Sequence, residues 1–102
     1  MPESTELDPV VHGQLRLAVL SILVGAEEAN FSYLREQVGA TDGNLSVHLS
    51  KLEAAGYVAV KKHFVQKKPQ SVYRITPRGR AAFLKYVAAL KALLGKDLTG
   101  RR

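Results

Sequence analysis

The side chains best suited to chemistry form two groups that follow one another along this 102-residue chain. The first is a run of small and polar residues, Gly43–Lys51, whose amide, hydroxyl and methyl groups could contact the edges of nucleic-acid bases. The second is a set of lysines between Lys61 and Lys68, which could neutralise phosphates. Both groups are suited to binding rather than to making or breaking bonds.

The charge of the chain is strongly segregated. Residues 1–53 carry three basic side chains against eight acidic ones, whereas residues 54–102 carry twelve basic side chains against Asp97 alone. No acidic residue occurs from Ala54 through Lys96. Such a one-signed region attracts polyanions. A membrane surface is the weaker interpretation, because the basic residues do not share one face of an amphipathic helix.

The sequence offers little for catalysis or metal binding. His12, His48 and His63 lie on three different predicted elements, and neither a glycine-rich phosphate loop nor paired carboxylates are visible. The chain has no cysteine, and its last helix lacks Asp and His pairs at helical spacing. We therefore predict no enzyme activity, no metal site and no cofactor.

Length and patterning predict one domain without a membrane segment. The longest apolar stretch, Leu17–Ala26, is too short to cross a bilayer. The acidic N-terminus lacks the basic-then-apolar pattern of a signal peptide. We expect a cytoplasmic location and no membrane partner, with a domain over residues 8–95 between a flexible tail, 1–7, and a frayed tail, 96–102.

Four helices and one hairpin can be placed from capping residues and apolar spacing. Asp8 and Pro9 predict the start of a first helix that ends at Gly25. Thr76 and Pro77 predict the start of a last helix that ends at Gly95. Both helices carry wide apolar arcs, which is typical of helices buried on more than one side.

Two short helices are predicted between them. Ser32 is the expected cap of a helix over 33–38, and Thr41 the expected cap of a helix over 42–55 that Gly56 ends. Helices joined by so short a turn are typical of a helix-turn-helix. A β-hairpin should follow, with strands over 57–60 and 72–75, the first of which continues into the residues after Val60, and a turn over 66–70 that contains Pro69. Residues 61–74 form its basic part, the expected wing.

The order of these elements indicates a mainly helical fold with a small hairpin, α-α-α-β-β-α. The run Gly43–Val58 closely resembles the recognition-helix region of ArsR-like and MarR-like transcriptional regulators, and Tyr73–Arg80 resembles their return strand and last helix. The resemblance, over residues 8–94, implies a winged helix-turn-helix that binds operator DNA as a dimer, often under the control of a small-molecule effector.

The residues themselves predict similar roles. With Leu45 pointing inward, a rotation of about 100° per residue places the small and polar residues outward or on the flanks. His48 lies near the boundary, where we expect a phosphate contact or a supporting role. The predicted contacts to double-stranded DNA are, on the third helix, Thr41, Gly43, Asn44, Ser46, Val47, His48, Ser50 and Lys51, and, on the hairpin, Lys61, Lys62, Gln66, Lys67, Lys68 and Arg74.

Apolar surface on the outer helices predicts a homodimer. The expected interface residues are Val11, Ala18, Tyr86, Leu90, Leu93 and Leu94. Together they would form a larger exposed patch than monomers usually carry. Two other functions fit the same fold: a protein-interaction module, and a nucleoid-type protein that binds DNA without sequence preference.

Overall fold

A computed structural model describes residues 7–98, with side chains through residue 95. The elements are α1 (Gln14–Ala26), β1 (Glu28–Asn30), α2 (Phe31–Val38), α3 (Asp42–Ala54), β2 (Val58–Val65), β3 (Lys68–Ile75) and α4 (Pro77–Leu98). The predicted mainly helical fold with a hairpin is confirmed. Most of the predicted tails, residues 1–6 and 99–102, lies outside the described residues.

The core is formed by the inward faces of all four helices and the base of the sheet. Leu20 and Leu23 of α1 are fully buried, as are Leu45 and Leu52 of α3. Burying a leucine stabilises a fold by about 1.5–3 kcal/mol, so this cluster fixes how α3 sits on α1.

The first helix begins later than predicted. Asp8 does accept hydrogen bonds from the backbone amides of Val10 and Val11, at 2.8 and 3.4 Å. These bonds close only one turn, which Val11 anchors by lying fully buried in the core. The helix proper starts at Gln14, so Asp8 caps a turn and not α1.

The sheet has three strands in the order β1-β3-β2, and all pairs are antiparallel. β1 was not predicted, because its three residues lack the apolar alternation of a strand. It pairs with the base of β3, with Ala29 opposite Tyr73. Asn30 then accepts a hydrogen bond from the Tyr33 amide at 2.8 Å and caps α2, the role that the sequence analysis gave to Ser32.

The hairpin turn is tighter than predicted. It consists of Gln66 and Lys67 alone, with φ angles of 52° and 67°, and Pro69 lies in β3 opposite Phe64. Two consecutive residues with positive φ are typical of the two-residue turns that match the twist of a hairpin. The strands therefore reach almost to the tip.

A close contact joins the end of α3 to the start of α4. The Thr76 hydroxyl donates to the carbonyl of Gly56 at 2.6 Å and accepts from the Gly79 amide at 2.9 Å. The Thr76 amide donates to the Tyr57 carbonyl at 3.0 Å. The helix then continues through Gly95 to Leu98, beyond its predicted end.

Candidate nucleic-acid interface

Helix α3 is held at its N-terminal end by a cap and an ion pair. The Thr41 hydroxyl accepts from the Asn44 amide at 3.2 Å, as predicted for its cap. Asp42 pairs with Arg35 of α2 at 2.8 Å, and both side chains are partly exposed. That ion pair adds little stability, since exposed pairs contribute about 0–1 kcal/mol, but it links α2 to the first turn of α3.

The outward face of α3 is free of bulky side chains. The exposed residues include Gly43, Val47, Ser50 and Ala54, on the side opposite the buried leucines. Val47 keeps 55% of its surface exposed, because no side chain of the described residues covers it. A helix face of this kind is narrow enough to enter a major groove. The other predicted α3 contacts, Thr41, Asn44, Ser46 and Lys51, are exposed as well.

His48 is the exception on this helix, because it is half-buried and bonded within the chain. Its Nδ1 lies 2.8 Å from Nη1 of Arg16 in α1. Burial, followed by the charges of Arg16 and Lys51, lowers the pKa of His48 below its usual value. The sequence analysis missed Arg16, although a lone arginine within an apolar helix is a signal of such a buried contact.

The basic hairpin, which we call the wing (residues 58–75), carries its charges on both faces. Residues paired across the strands share a face, and successive residues alternate. Lys61 and Lys68 therefore lie on the outer face with Arg74, whereas Lys62 lies on the face that continues the core. Lys67 occupies the turn. All five side chains are exposed, as is the predicted contact Gln66.

Arg74 differs from the lysines in its surroundings. It lies at the base of the wing, and β1 places Glu28 directly opposite it on the same face. Residues 54–96 contain no acidic side chain, but the surface they form does include one. The reason is that β1, from the first half of the chain, brings Glu28 to it. The positive charge of the wing is therefore partly compensated at its base and uncompensated by β1 toward its tip.

The wing also carries an exposed aromatic ring that the sequence analysis did not assign. Phe64 keeps 74% of its surface exposed and lies on the same face as Lys62. A phenylalanine within a basic, exposed strand was the available signal.

The turn before α1 is fastened to the rest of the fold. The Tyr57 hydroxyl donates to Asp8 at 2.5 Å, and His12 Nδ1 lies 2.9 Å from the Tyr86 hydroxyl on α4. Burial would raise the pKa of Asp8, but hydrogen bonds from Tyr57 and from two backbone amides outweigh it and lower the pKa. The Tyr57 bond, followed by burial, raises the pKa of that phenol.

Two of the predicted interface residues are core residues of one chain. Val11 is fully buried and Tyr86 is 4% exposed, so neither has surface for a second subunit. Ala18, Leu90 and Leu93 are half-buried, and Leu94 keeps 46% of its surface exposed. The prediction placed Val11 on a helix face, but the single turn after Asp8 points it inward.

Comparisons with known proteins assign the family. Residues 15–94 match the winged helix DNA-binding domain family. The chain belongs to this family. An uncharacterized protein from Methanocaldococcus jannaschii is 38% identical to this winged-helix protein over 78 residues, covering 76% of this chain and 85% of the relative.

Solved structures agree with that assignment. A transcriptional regulator homologue from Pyrococcus horikoshii superposes with a TM-score of 0.80 at 30% identity, covering 87% of this chain and 89% of that one. A MarR-family regulator from Silicibacter pomeroyi has a TM-score of 0.64 at 22% identity, with coverages of 89% and 60%, and shows the fold alone. The predicted resemblance to winged-helix transcriptional regulators is confirmed.

The family is one of DNA-binding domains, and these neighbours are described as transcription regulators and not as enzymes. Within residues 7–98, no cluster of three His, Cys, Asp or Glu side chains could hold a metal ion. In the same part of the chain, no helix is long and apolar enough to span a membrane.

Proposed function

We propose that this winged-helix protein is a transcriptional regulator that binds a specific double-stranded DNA sequence as a homodimer. One observation carries the proposal: a narrow, exposed helix face of small and polar residues stands next to an exposed lysine-bearing hairpin. α3 would enter the major groove, and the wing would contact the adjacent backbone or minor groove. A cytoplasmic location and a small-molecule effector stay predictions.

Sequence preference would come from α3. Asn44 can bond bidentately to adenine, Ser46 and Ser50 can donate or accept, and the Val47 methyls can meet a thymine methyl. Selection of bound fragments from a random duplex pool tests this directly. A recovered palindrome supports both sequence specificity and dimeric binding, and a pool without a shared motif favours the nucleoid-type alternative.

Affinity common to all sequences would come from the wing. Replacing Lys67 and Lys68 by alanine should weaken binding to every duplex and flatten the plot of log affinity against log salt by about one or two units. By contrast, Asn44→Ala should cost about 1–3 kcal/mol on the selected site and less on random DNA. An unchanged salt slope would mean that the tip of the wing does not contact the DNA.

The proposed dimer uses α1 and α4. On α4, a rotation of about 100° per residue places Phe83, Val87 and Leu94 along one flank of the core-facing stripe, with Leu84 farther round. Leu84 and Leu94 are 55% and 46% exposed, an apolar flank that a second copy could cover. A two-fold axis there would present two α3 helices to successive major grooves, roughly 34 Å apart.

The interaction-module alternative makes a different prediction. A module that binds only proteins does not need an exposed lysine wing and a small polar helix face together. Absence of salt-dependent binding to any duplex DNA would favour that alternative and overturn the proposal.

A further inference from the structure

Arg16 joins three parts of the fold through one guanidinium group. Its Nε donates to the Val10 carbonyl at 2.7 Å, and its Nη2 donates to the carbonyls of Pro9 and His12, both at 3.4 Å. Its Nη1 lies 2.8 Å from His48 Nδ1. The turn before α1, α1 itself and the candidate recognition helix α3 are therefore linked at a single side chain.

This contact fixes where the imidazole carries its proton. A guanidinium has only donors, so the nitrogen that faces it must offer a lone pair. Nδ1 of His48 is therefore unprotonated. A neutral imidazole without a proton on Nδ1 carries it on Nε2, which makes Nε2 an obligatory donor.

The donor reaches the surface. Within residues 7–98, His48 makes no hydrogen bond through Nε2, and no side-chain nitrogen or oxygen is buried without a partner. On the helix, His48 lies on the same flank as Asn44 and Lys51, both of which are exposed. A donor of fixed direction therefore lies at the edge of the surface proposed to meet DNA.

We propose that Arg16 is a positioning residue that holds His48 as the Nε2–H tautomer, and that this N–H donates to a hydrogen-bond acceptor of the DNA. The inference rests on the proposed function and adds a contact to it. The acceptor is a purine N7 in the major groove or a phosphate oxygen beside it, and both chemistries accept a neutral N–H donor.

The first test examines the free protein. In ¹⁵N-detected spectra of the full chain, the His48 ring should show the Nε2–H form alone. Arg16→Met keeps the apolar stem and removes the donors, so the Nδ1–H form should then appear. A wild-type ring with its proton on Nδ1 would overturn the inference without any DNA measurement.

The second test separates the two nitrogens by substitution. His48→Asn places an acceptor near the former Nδ1 and has no group at the Nε2 position, so it should keep the Arg16 bond and lose the DNA contact. We expect the Kd for the selected duplex to rise about three- to tenfold, the effect of one hydrogen bond. His12→Asn is the matched control, because His12 also bonds through Nδ1 but to Tyr86, away from α3. It should leave the Kd unchanged.

A double-mutant cycle shows whether Arg16 acts on DNA through His48. Arg16→Met alone should weaken binding, but it should cost little further in the His48→Asn background. Equal costs in both backgrounds would mean that Arg16 contributes only through the stability of the turn or through its own charge. Urea unfolding of each variant accounts for any loss of folded protein.

Modified duplexes identify the acceptor. Each purine of the selected site is replaced by its 7-deaza analogue, and each nearby phosphate by a methylphosphonate. One of these changes should weaken the wild type about three- to tenfold and leave His48→Asn unaffected. If binding is specific but neither series behaves so, this inference fails and the proposed function stands. If no duplex is bound at all, the proposed function itself fails.

Discussion

Gly79, in the first turn of α4, is the position where a single methyl group should do most harm. A Cβ built on Gly79 would lie 2.8 Å from the carbonyl carbon and 2.9 Å from the Cα of Tyr57, and closer still to its carbonyl oxygen. These are backbone atoms at the junction of α3 and β2, so no side chain can rotate away. Gly79→Ala therefore requires α4 to move away from the end of α3.

The magnitude follows from what that movement disturbs. Overpacking costs about 1–3 kcal/mol, and weakening the two Thr76 hydrogen bonds that reach Gly56 and Tyr57 costs about 1 kcal/mol each. Alanine regains about 1 kcal/mol through its higher helix propensity. The free energy of unfolding should fall by about 2–4 kcal/mol, a large part of the 5–15 kcal/mol typical of a domain.

Urea unfolding followed by circular dichroism measures this change, at two protein concentrations because dimer stability depends on concentration. Gly25→Ala in α1 is the matched control, since nothing lies within 4 Å of its added Cβ. It should leave stability unchanged or raise it by up to about 1 kcal/mol. If Gly79→Ala is as stable as the wild type, the close contact between α4 and the α3–β2 junction is refuted.

Three further predictions concern the turn before α1, the tip of the wing and the dimer. The pKa of Asp8 is lowered in the fold, so its contribution to stability is present above its ordinary value of 3.8 and lost as the pH falls through the lowered value. Asp8→Asn should therefore lower the Tm at pH 7 but not at pH 2. Equal decreases in Tm at the two pH values would contradict a stabilising role of the Asp8 carboxylate. Gln66→Asn with Lys67→Gly should stabilise the fold by about 1 kcal/mol in urea, because asparagine and glycine tolerate the positive φ angles at both positions; a loss would refute the tight turn. Leu94→Glu should yield monomers or insoluble protein in sedimentation experiments, whereas the exposed Ala81→Glu, on another side of α4, should remain dimeric; a monomeric wild type would eliminate the proposed interface.

The parts of the fold that depend on local signals could be predicted from the sequence. Thr41 and Gly56 bound α3 because a hydroxyl cap and a glycine with φ of 79° act within one turn of the helix. The outward face of α3 follows from the same logic, since helical periodicity fixes which side opposes the leucines.

The parts that depend on distant partners could not be predicted. Glu28–Asn30 is a strand because β3 pairs with it, and its own residues give no sign of this. Asp8 and Pro9 look like the start of a helix, but Tyr57 and Arg16 hold the segment as one turn. The state of His48 likewise depends on a residue 32 positions away.

The three-stranded sheet leaves the outer edge of β2 without a partner in the described part of the chain. An exposed edge of eight residues can pair with the same edge of another molecule, and Val58–Val60 and Phe64–Val65 are the apolar, strand-forming residues that favour such pairing. Lys61 and Lys62 interrupt that run, and two such edges would bring like charges together. These lysines therefore disfavour edge-to-edge aggregation of the protein. Their positive charge would be needed for this purpose even in a protein that does not bind DNA.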